Sequence, residues 1–238
     1  MLRFVHKDEY WKAEDEGVLS KIRFDPEYWH IKQIQDAMIL SVLGDISGAS
    51  ITEVGGGASR TLPELAKSNT CNNVDEMKGE DGGPIQGIDD ANVNHIFAKV
   101  GATQGLIADN SQDVVYSISV VEHIPMSALP GFYQDIGRML KPGGQMIHLI
   151  DCYLRAPGED NSYEIARRAA YLQGFKDSGL NPLDKSAIIS EGEVGFHPSL
   201  TSNPDRIMNM WNQDNPKLRP EREVSQGCTW IQRAIKPA

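Results

Sequence analysis

The sequence predicts an α/β fold in which helices cover both faces of a mostly parallel sheet. Two observations carry this prediction: strand-like and helix-like segments alternate along the chain, and neither an internal repeat nor a long linker interrupts the alternation. The chain has 238 residues, of which 40% are hydrophobic, so it can bury one substantial core. We therefore expect residues 1–238 to form a single domain.

The first part of the chain predicts a helix, a strand and a second helix. An acceptor and a proline, Asp25 and Pro26, open an amphipathic segment that stops at Gly44, as expected for a capped helix. Residues 50–54 have the composition of a short strand and run directly into three glycines, and residues 60–67 have helical composition. The order is strand, glycine turn, helix.

The alternation continues through the middle of the chain. Strand-like segments lie at 73–75, 95–100 and 113–120, and the last of these is the clearest. A helix over about 127–140 leads through a Lys-Pro-Gly-Gly turn to a fifth strand at 145–150. Such strands, joined by helical crossovers, pair in parallel.

The last third of the chain is predicted to extend the same sheet. A helix is expected over 162–175, a mixed stretch around 187–196, a further helix from Asn203, and a β-rich end at 228–235.

Charge and cysteine content exclude several classes of function. The formal net charge is −10, and such a field repels a polyanion, so nucleic acid is not an expected partner. Cys71, Cys152 and Cys228 are far apart and odd in number, so neither a disulfide framework nor a zinc site is predicted. No apolar run approaches the roughly 20 residues that span a bilayer, and the first residues are unlike a signal peptide. We expect no membrane partner and a cytoplasmic location; the oligomeric state is not determined.

The glycine turn after the first strand is the first candidate for ligand binding. A turn of this kind brings the backbone close to a ligand and exposes the free N–H groups of a helix start. The dinucleotide fingerprint needs a third glycine, and Arg60 follows Gly55-x-Gly57 at that place, which counts against NAD and FAD. Glu53 stands two residues before the first glycine, where it could meet a cationic ligand group. The alternative is a tight turn with a solvated glutamate.

A pair of acids after the second strand is the next candidate. Asp75 lies 22 residues after Glu53 in the sequence and is followed by Glu76. In nucleoside-binding α/β folds, an acid about 20 residues beyond the turn accepts hydrogen bonds from ribose hydroxyls. The alternative is a solvated acidic surface.

Two further motifs complete a recognisable pattern. Residues 113–125 end in Ser-Val-Val-Glu122-His123-Ile-Pro, and Leu140-Lys-Pro-Gly-Gly144 follows. Together with Glu53-x-Gly-x-Gly and the acid after the second strand, these motifs resemble the class I S-adenosylmethionine-dependent methyltransferases over about residues 25–155. The resemblance implies a seven-stranded Rossmann-like sheet with an antiparallel last strand, and S-adenosylmethionine as the cofactor.

The resemblance also implies which residues hold the cofactor. Its methionine end would lie against Glu53, Gly55 and Gly57, with Ser59 or Arg60 as a donor to the carboxylate; the alternative for Arg60 is an i,i+4 pair with Glu64.

The remaining cofactor contacts follow the same resemblance. Asp75, or Glu76 if the strand ends one residue later, would take the ribose hydroxyls. Val100 and Gly101 would border the adenine, and Asp109, the nearest acid to that position, is too far along the chain for the usual contact with the adenine amino group.

The acceptor side of the implied site begins after the fourth strand. Ser117 and Ser119 would face the methyl donor. His123 is a candidate base because its unperturbed pKa is near neutrality, and Asp151 is a second candidate; the alternative for His123 is a structural hydrogen bond.

The implied domain division is an N-terminal helical cap at 1–45, a cofactor-binding core at 46–152, and the C-terminal half of the sheet with acceptor-side elements at 153–238. The expected function is methyl transfer to a small polar acceptor, on oxygen rather than nitrogen, with a sugar or glycan precursor as one candidate. A non-catalytic methyltransferase-like binding or regulatory protein is the alternative, and an NAD-linked enzyme is a third hypothesis.

Overall fold

One β-sheet organises the fold, and its central strands are parallel. The computed structural model describes residues 2–22, 31–79, 84–155, 162–184 and 225–238. The five parallel strands are β2 (Ser50–Val54), β3 (Thr70–Val74), β4 (Val93–Ile96), β5 (Gln112–Ile118) and β6 (Leu140–Arg155). They confirm the predicted mostly parallel α/β sheet.

Antiparallel strands complete one side of the sheet. β8 (Ser225–Ile235) pairs with β6, and β1 (Leu2–Phe4) and β7 (Asn181–Pro182) both pair with β8. The strand order is β1-β8-β6-β5-β2-β3-β4, with β7 beside β8. The antiparallel last strand is confirmed, and within the described residues the sheet has eight strands, against the seven predicted. The segment predicted as an N-terminal helical cap also contains an edge strand, Leu2–Phe4, which pairs with β8.

Helices cover both faces of the sheet, as predicted. The first face carries α1 (Lys7–Asp15), α2 (Ile31–Leu43) and α3 (Leu62–Leu65), and the second carries α4 (Leu129–Met139) and α5 (Ser162–Asp177). None of these described helices combines the length and the apolar character needed to cross a membrane.

Two apolar cores separate these helices from the sheet, because neighbouring residues of a strand point to opposite faces. Val114 and Tyr116 of β5 pack towards α2, whereas Val115 packs towards α4. In α4, the buried apolar residues recur every three or four positions, as one buried face of a helix requires: Leu129, Phe132, Tyr133, Ile136 and Met139. The two cores hold the strand ends, and therefore the site, in place.

Several strand boundaries differ from the predicted ones. The fourth strand was predicted at 113–120 and spans 112–118, and the fifth was predicted at 145–150 and spans 140–155. The second strand was predicted at 73–75 and spans 70–74, and the third was predicted at 95–100 and spans 93–96. Both are short and polar, so their composition is weak strand evidence; pairing with β2 sets the ends of the first, and pairing with β3 sets the ends of the second. The start of the predicted helix at Asp25, the stretch at 187–196 and the helix from Asn203 lie outside the described residues.

Candidate cofactor and acceptor site

A cavity of about 620 Å³ opens at the carboxyl edge of the parallel strands. It lies where the strand order reverses, since β2 has β3 on one side and β5 on the other. Ligands of open α/β sheets bind at this kind of crevice. Seven residues that the sequence nominated line the cavity: Gly55, Asp75, Glu76, Val100, Gly101, Ser119 and His123.

The glycine turn directly follows β2, and two of its glycines have positive φ. A Cβ at Gly55 (φ +66°) would lie 2.5 Å from a methyl group of Val120, and one at Gly57 (φ +50°) would lie 2.7 Å from Cβ of Pro84. Both positions therefore need glycine for backbone conformation and for space. The turn brings backbone to the cavity without a side chain in the way.

Asp75 connects the glycine turn to the end of β3. Its Oδ2 accepts the N–H of Gly57 at 3.3 Å, and its Oδ1 accepts the N–H of Met77 at 2.8 Å. The neighbouring Glu76 also lines the cavity, but its carboxylate pairs with Lys78 at 2.9 Å. The lysine hydrogen bond outweighs a small desolvation effect and lowers the pKa of Glu76. Asp75 is thus the better-placed acceptor for a ligand hydroxyl.

Glu53 lies beneath the turn rather than on the cavity wall. Its side chain is buried, and the hydroxyl of Tyr116 donates to its Oε2 at 2.8 Å. Burial raises the pKa of Glu53 to about 7, although hydrogen bonds from hydroxyl groups oppose that shift. Glu53 therefore changes charge near neutral pH while it supports the glycine turn from below.

Ser59 and Arg60 are occupied by contacts within the protein. The hydroxyl of Ser59 accepts the N–H groups of Thr61 at 3.2 Å and of Leu62 at 3.1 Å, just before and at the start of α3. The guanidinium of Arg60 binds Asp36 through two hydrogen bonds, of 2.5 and 3.1 Å. The partner of Arg60 is thus Asp36 on α2, neither a ligand carboxylate, which was predicted, nor Glu64, which was the alternative.

The loop after β4 supplies Val100 and Gly101 to the cavity, and both were predicted site residues. The N–H of Gly101 donates to Oδ2 of Asp135 at 2.7 Å, which holds this loop against α4. Asp109 lies elsewhere, paired with Arg138 at 2.6 Å. It therefore does not stand where an adenine contact was considered.

The two serines at the end of β5 have different surroundings. Ser117 is buried, and its hydroxyl is hydrogen-bonded to Nδ1 of His148 at 2.7 Å. Burial lowers the pKa of His148 to about 3, so this histidine is neutral. Ser119 lines the cavity, has φ +52°, and lies within hydrogen-bond distance of Gln35 and Asp151. Of the two, only Ser119 reaches the ligand space.

Asp151 stands behind Ser119, at the end of the parallel part of β6. Its Oδ1 accepts from Nε2 of Gln35 at 2.6 Å and lies 3.0 Å from the hydroxyl of Ser119. Burial raises its pKa, and the hydrogen bonds from Gln35 and Ser119 oppose the shift. It is not among the residues that line the cavity, so it reaches the cavity through Ser119.

Glu122 and His123 form a turn of 3₁₀-helix that follows β5. The His123 side chain is 63% exposed and lines the cavity, with Nε2 3.9 Å from Oε1 of Glu122. The carboxylate oxygens of Glu122 are buried and have no hydrogen-bond partner among the described residues. Burial, and then the charge of Asp151, raise the pKa of Glu122 well above its ordinary value. This end of the cavity is therefore bordered by the buried carboxyl group of Glu122 and by the exposed side chain of His123.

Helix α2 contributes three polar residues that were not among the predicted site residues. Lys32 lines the cavity, Gln35 binds Ser119 and Asp151, and Asp36 binds Arg60. Their spacing of three and four residues puts them on one face of the helix. Polar residues at these three positions of α2 interrupt a helix that was predicted to be apolar towards the sheet, and this pattern would have indicated them.

Comparison with known proteins agrees with this geometry. Residues 52–148 match the family model described as "Methyltransferase domain". "Phosphoethanolamine N-methyltransferase 1" of Triticum aestivum is 21% identical over 220 residues, which are 86% of this chain and 43% of that protein. The chain thus spans less than half the length of this curated relative.

Solved structures share the fold. Phosphoethanolamine N-methyltransferase 2 of Haemonchus contortus, bound to phosphomonomethylethanolamine and S-adenosylhomocysteine, superposes with a TM-score of 0.55 at 16% identity, covering 86% of this chain and 52% of the other. Geranyl diphosphate C-methyltransferase of Streptomyces coelicolor, bound to Mg²⁺, geranyl-S-thiolodiphosphate and S-adenosylhomocysteine, gives 0.56 at 14% identity, covering 92% and 84%. The strand order, the site at its reversal and the matched domain agree with the resemblance to the class I S-adenosylmethionine-dependent methyltransferases.

Proposed function

We propose that the protein is an S-adenosylmethionine-dependent methyltransferase that acts on a small molecule. The observation that carries the proposal is the cavity itself, in which backbone at Gly55, the carboxylate of Asp75 and the hydroxyl of Ser119 line one space. A glycine turn without side chains and an acid after the next strand suit a nucleoside-containing ligand. The residues present therefore fit the cofactor of the superfamily.

The roles of the individual residues follow their placement. Gly55 and Gly57 would leave room for the methionine end, with Glu53 beneath them, and Asp75 would accept the ribose hydroxyls. Val100 and Gly101 would border the adenine. Ser59, Arg60 and Ser117 are held by protein partners and support the site rather than line it. When bound, S-adenosylmethionine supplies a methyl group already activated on a sulfonium.

The chain's own task is then to orient the acceptor and to receive its proton. His123 lines the cavity, and Asp151 reaches it through Ser119. These two residues are the candidate proton acceptors. Their environments differ, since the histidine side chain is 63% exposed and burial raises the pKa of Asp151.

The methyl acceptor is proposed to be small and polar. The relative from Triticum aestivum is named for methylation of an amine, whereas the sequence reading favoured oxygen and a sugar or glycan precursor. Phosphoethanolamine and glucose are therefore suitable first probes for nitrogen and for oxygen.

Calorimetric titration with S-adenosylhomocysteine and with NAD, followed by transfer of labelled methyl from S-adenosylmethionine to each probe, tests the proposal. We expect micromolar binding of the first ligand, no binding of NAD, and transfer to one probe. Binding without transfer to a wider panel of amines and alcohols would favour the non-catalytic alternative. Binding of NAD alone would favour an NAD-linked enzyme.

A further inference from the structure

Ser119, Asp151 and Gln35 form a hydrogen-bonded cluster at the wall of the cavity. The hydroxyl of Ser119 is 2.6 Å from Oε1 of Gln35 and 3.0 Å from Oδ1 of Asp151, and Nε2 of Gln35 donates to the same Oδ1 at 2.6 Å. Three structural elements meet there: α2, the end of β5 and β6. The cluster therefore has defined geometry before any ligand binds.

We propose that the Ser119 hydroxyl and the Asp151 carboxylate form a proton relay for the methyl acceptor, with Gln35 as the positioning residue. The proposal rests on the proposed methyltransferase function. Ser119 stands between the cavity, which it lines, and Asp151, which does not line it. A proton that leaves the acceptor on this side therefore meets the hydroxyl first.

The step balances without a further reactant. A new bond forms between the acceptor nitrogen or oxygen and the methyl carbon, and the carbon–sulfur bond breaks with its electron pair going to sulfur. The proton of the acceptor passes to Oγ of Ser119 while the hydroxyl proton of Ser119 passes to Oδ1 of Asp151. The products are the methylated acceptor, S-adenosylhomocysteine and a neutral Asp151.

Gln35 is suited to its role because it is fully buried and makes three contacts. Its second amide hydrogen is directed to Oγ1 of Thr229 at 3.2 Å, so the amide cannot rotate without losing partners. Oε1 of Gln35 and Oδ1 of Asp151 compete for the single hydroxyl hydrogen of Ser119. When the relay operates, this hydrogen must turn from Gln35 to Asp151. The amide thus keeps both partners within reach of each other.

The positive φ of Ser119 allows a clean test, because Ser119→Gly removes the hydroxyl and relieves the backbone at the same time. Asn110→Gly is the matched control: Asn110 also has positive φ (+52°) and lies just before β5, at the far end of that strand from the site. Asp151→Asn removes the proton acceptor, with the exposed Asp45→Asn as its control.

Initial rates are measured with labelled S-adenosylmethionine and whichever probe, phosphoethanolamine or glucose, the wild type methylates. We expect Ser119→Gly and Asp151→Asn each to lower kcat at least about 100-fold, the usual range for loss of a positioned proton-transfer group. The Kd for S-adenosylhomocysteine should change less than about threefold, and the double variant should be no slower than the slower single variant.

The pH profile tests the positioning role of Gln35. Gln35→Leu removes an N–H donor to Asp151, which should raise the pKa of Asp151, so the acidic limb of the pH profile of kcat should move to higher pH. Gln35→Glu keeps the side-chain shape but also loses the N–H donor. It should show the same shift if the donor is needed, and no shift if the shape alone suffices. The titratable groups that surround Asp151 are Lys32 on α2, Glu122 and His123 after β5, and Cys152 on its own strand. The shift of the acidic limb that Gln35→Leu causes should also be observed when Glu122→Gln or His123→Gln is added to that variant.

Two results would overturn the relay while leaving the proposed function intact. One is an active wild type with Ser119→Gly within threefold of its kcat; the other is a loss in Ser119→Gly that lies wholly in the Kd for S-adenosylhomocysteine. A wild type that transfers no methyl group to the panel refutes the proposed function, and the relay with it.

Discussion

Replacing Asp75 tests the cofactor site at its best-placed charged residue. Asp75→Ala removes a carboxylate that lines the cavity and that the backbone at Gly57 and Met77 holds in position. A hydrogen bond to a charged group contributes about 1.5–3 kcal/mol. If the two ribose hydroxyls together gain that much from the carboxylate, the Kd should rise about 10- to 150-fold, at 1.4 kcal/mol per tenfold.

Calorimetric titration with S-adenosylhomocysteine measures this change directly. Asp75→Asn keeps one oxygen acceptor but loses the charge, so its Kd should lie between wild type and Asp75→Ala. Glu76→Ala should have a small effect because Lys78 already pairs with that carboxylate, and Asp45→Ala on the exposed surface should have none. A Kd for Asp75→Ala within threefold of wild type, at an unchanged Tm, would refute the ribose assignment. A loss in Glu76→Ala alone would move that role to Glu76.

Two further substitutions examine the glycine turn and the acid beneath it. Gly57→Val should abolish binding of S-adenosylhomocysteine, because a Cβ there meets Pro84 at 2.7 Å in a backbone of positive φ. Gly105→Val has the same backbone problem in open space and should lower Tm while sparing binding, so equal binding losses in both variants would contradict the local explanation. Burial raises the pKa of Glu53 from 4.5 to about 7. Between these two pH values the folded state binds more protons than the unfolded state. The contribution of Glu53 to the free energy of unfolding therefore falls as the pH rises through this range. Glu53→Gln should therefore shrink the difference in unfolding free energy between pH 5 and pH 8, measured by denaturant titration, by at most about 3 kcal/mol, and an unchanged difference would show that Glu53 is ionised throughout.

Local patterns were sufficient for the residues whose chemistry depends on chain position. The glycines at 55 and 57 follow a strand directly, and Asp75 follows the next one, so their meeting at one edge is a consequence of parallel pairing. The same reasoning placed Ser119 and His123 after β5. For these residues, the motif, the strand end and the alternation of strands and helices all predict the same position in the fold.

The partners of Arg60, Ser117 and Asp151 could not be deduced in this way. Arg60 pairs with an aspartate 24 positions earlier, and Asp151 is held by a glutamine 116 positions away in the sequence. Such contacts depend on how α2 packs across the sheet, and no local pattern encodes that crossing.

The sequence by itself determined the α/β class, the parallel pairing and the edge at which the ligand residues gather, because these depend on hydrophobic period, on turn chemistry and on the geometry of parallel strands. Only the tertiary structure decided which nominated residues face the cavity and which support it. Ser117 and Ser119 stand two positions apart in one segment, yet burial against His148 removes the first from the ligand space, whereas a left-handed backbone turns the second towards Gln35 and Asp151. Long-range packing alone sets that difference.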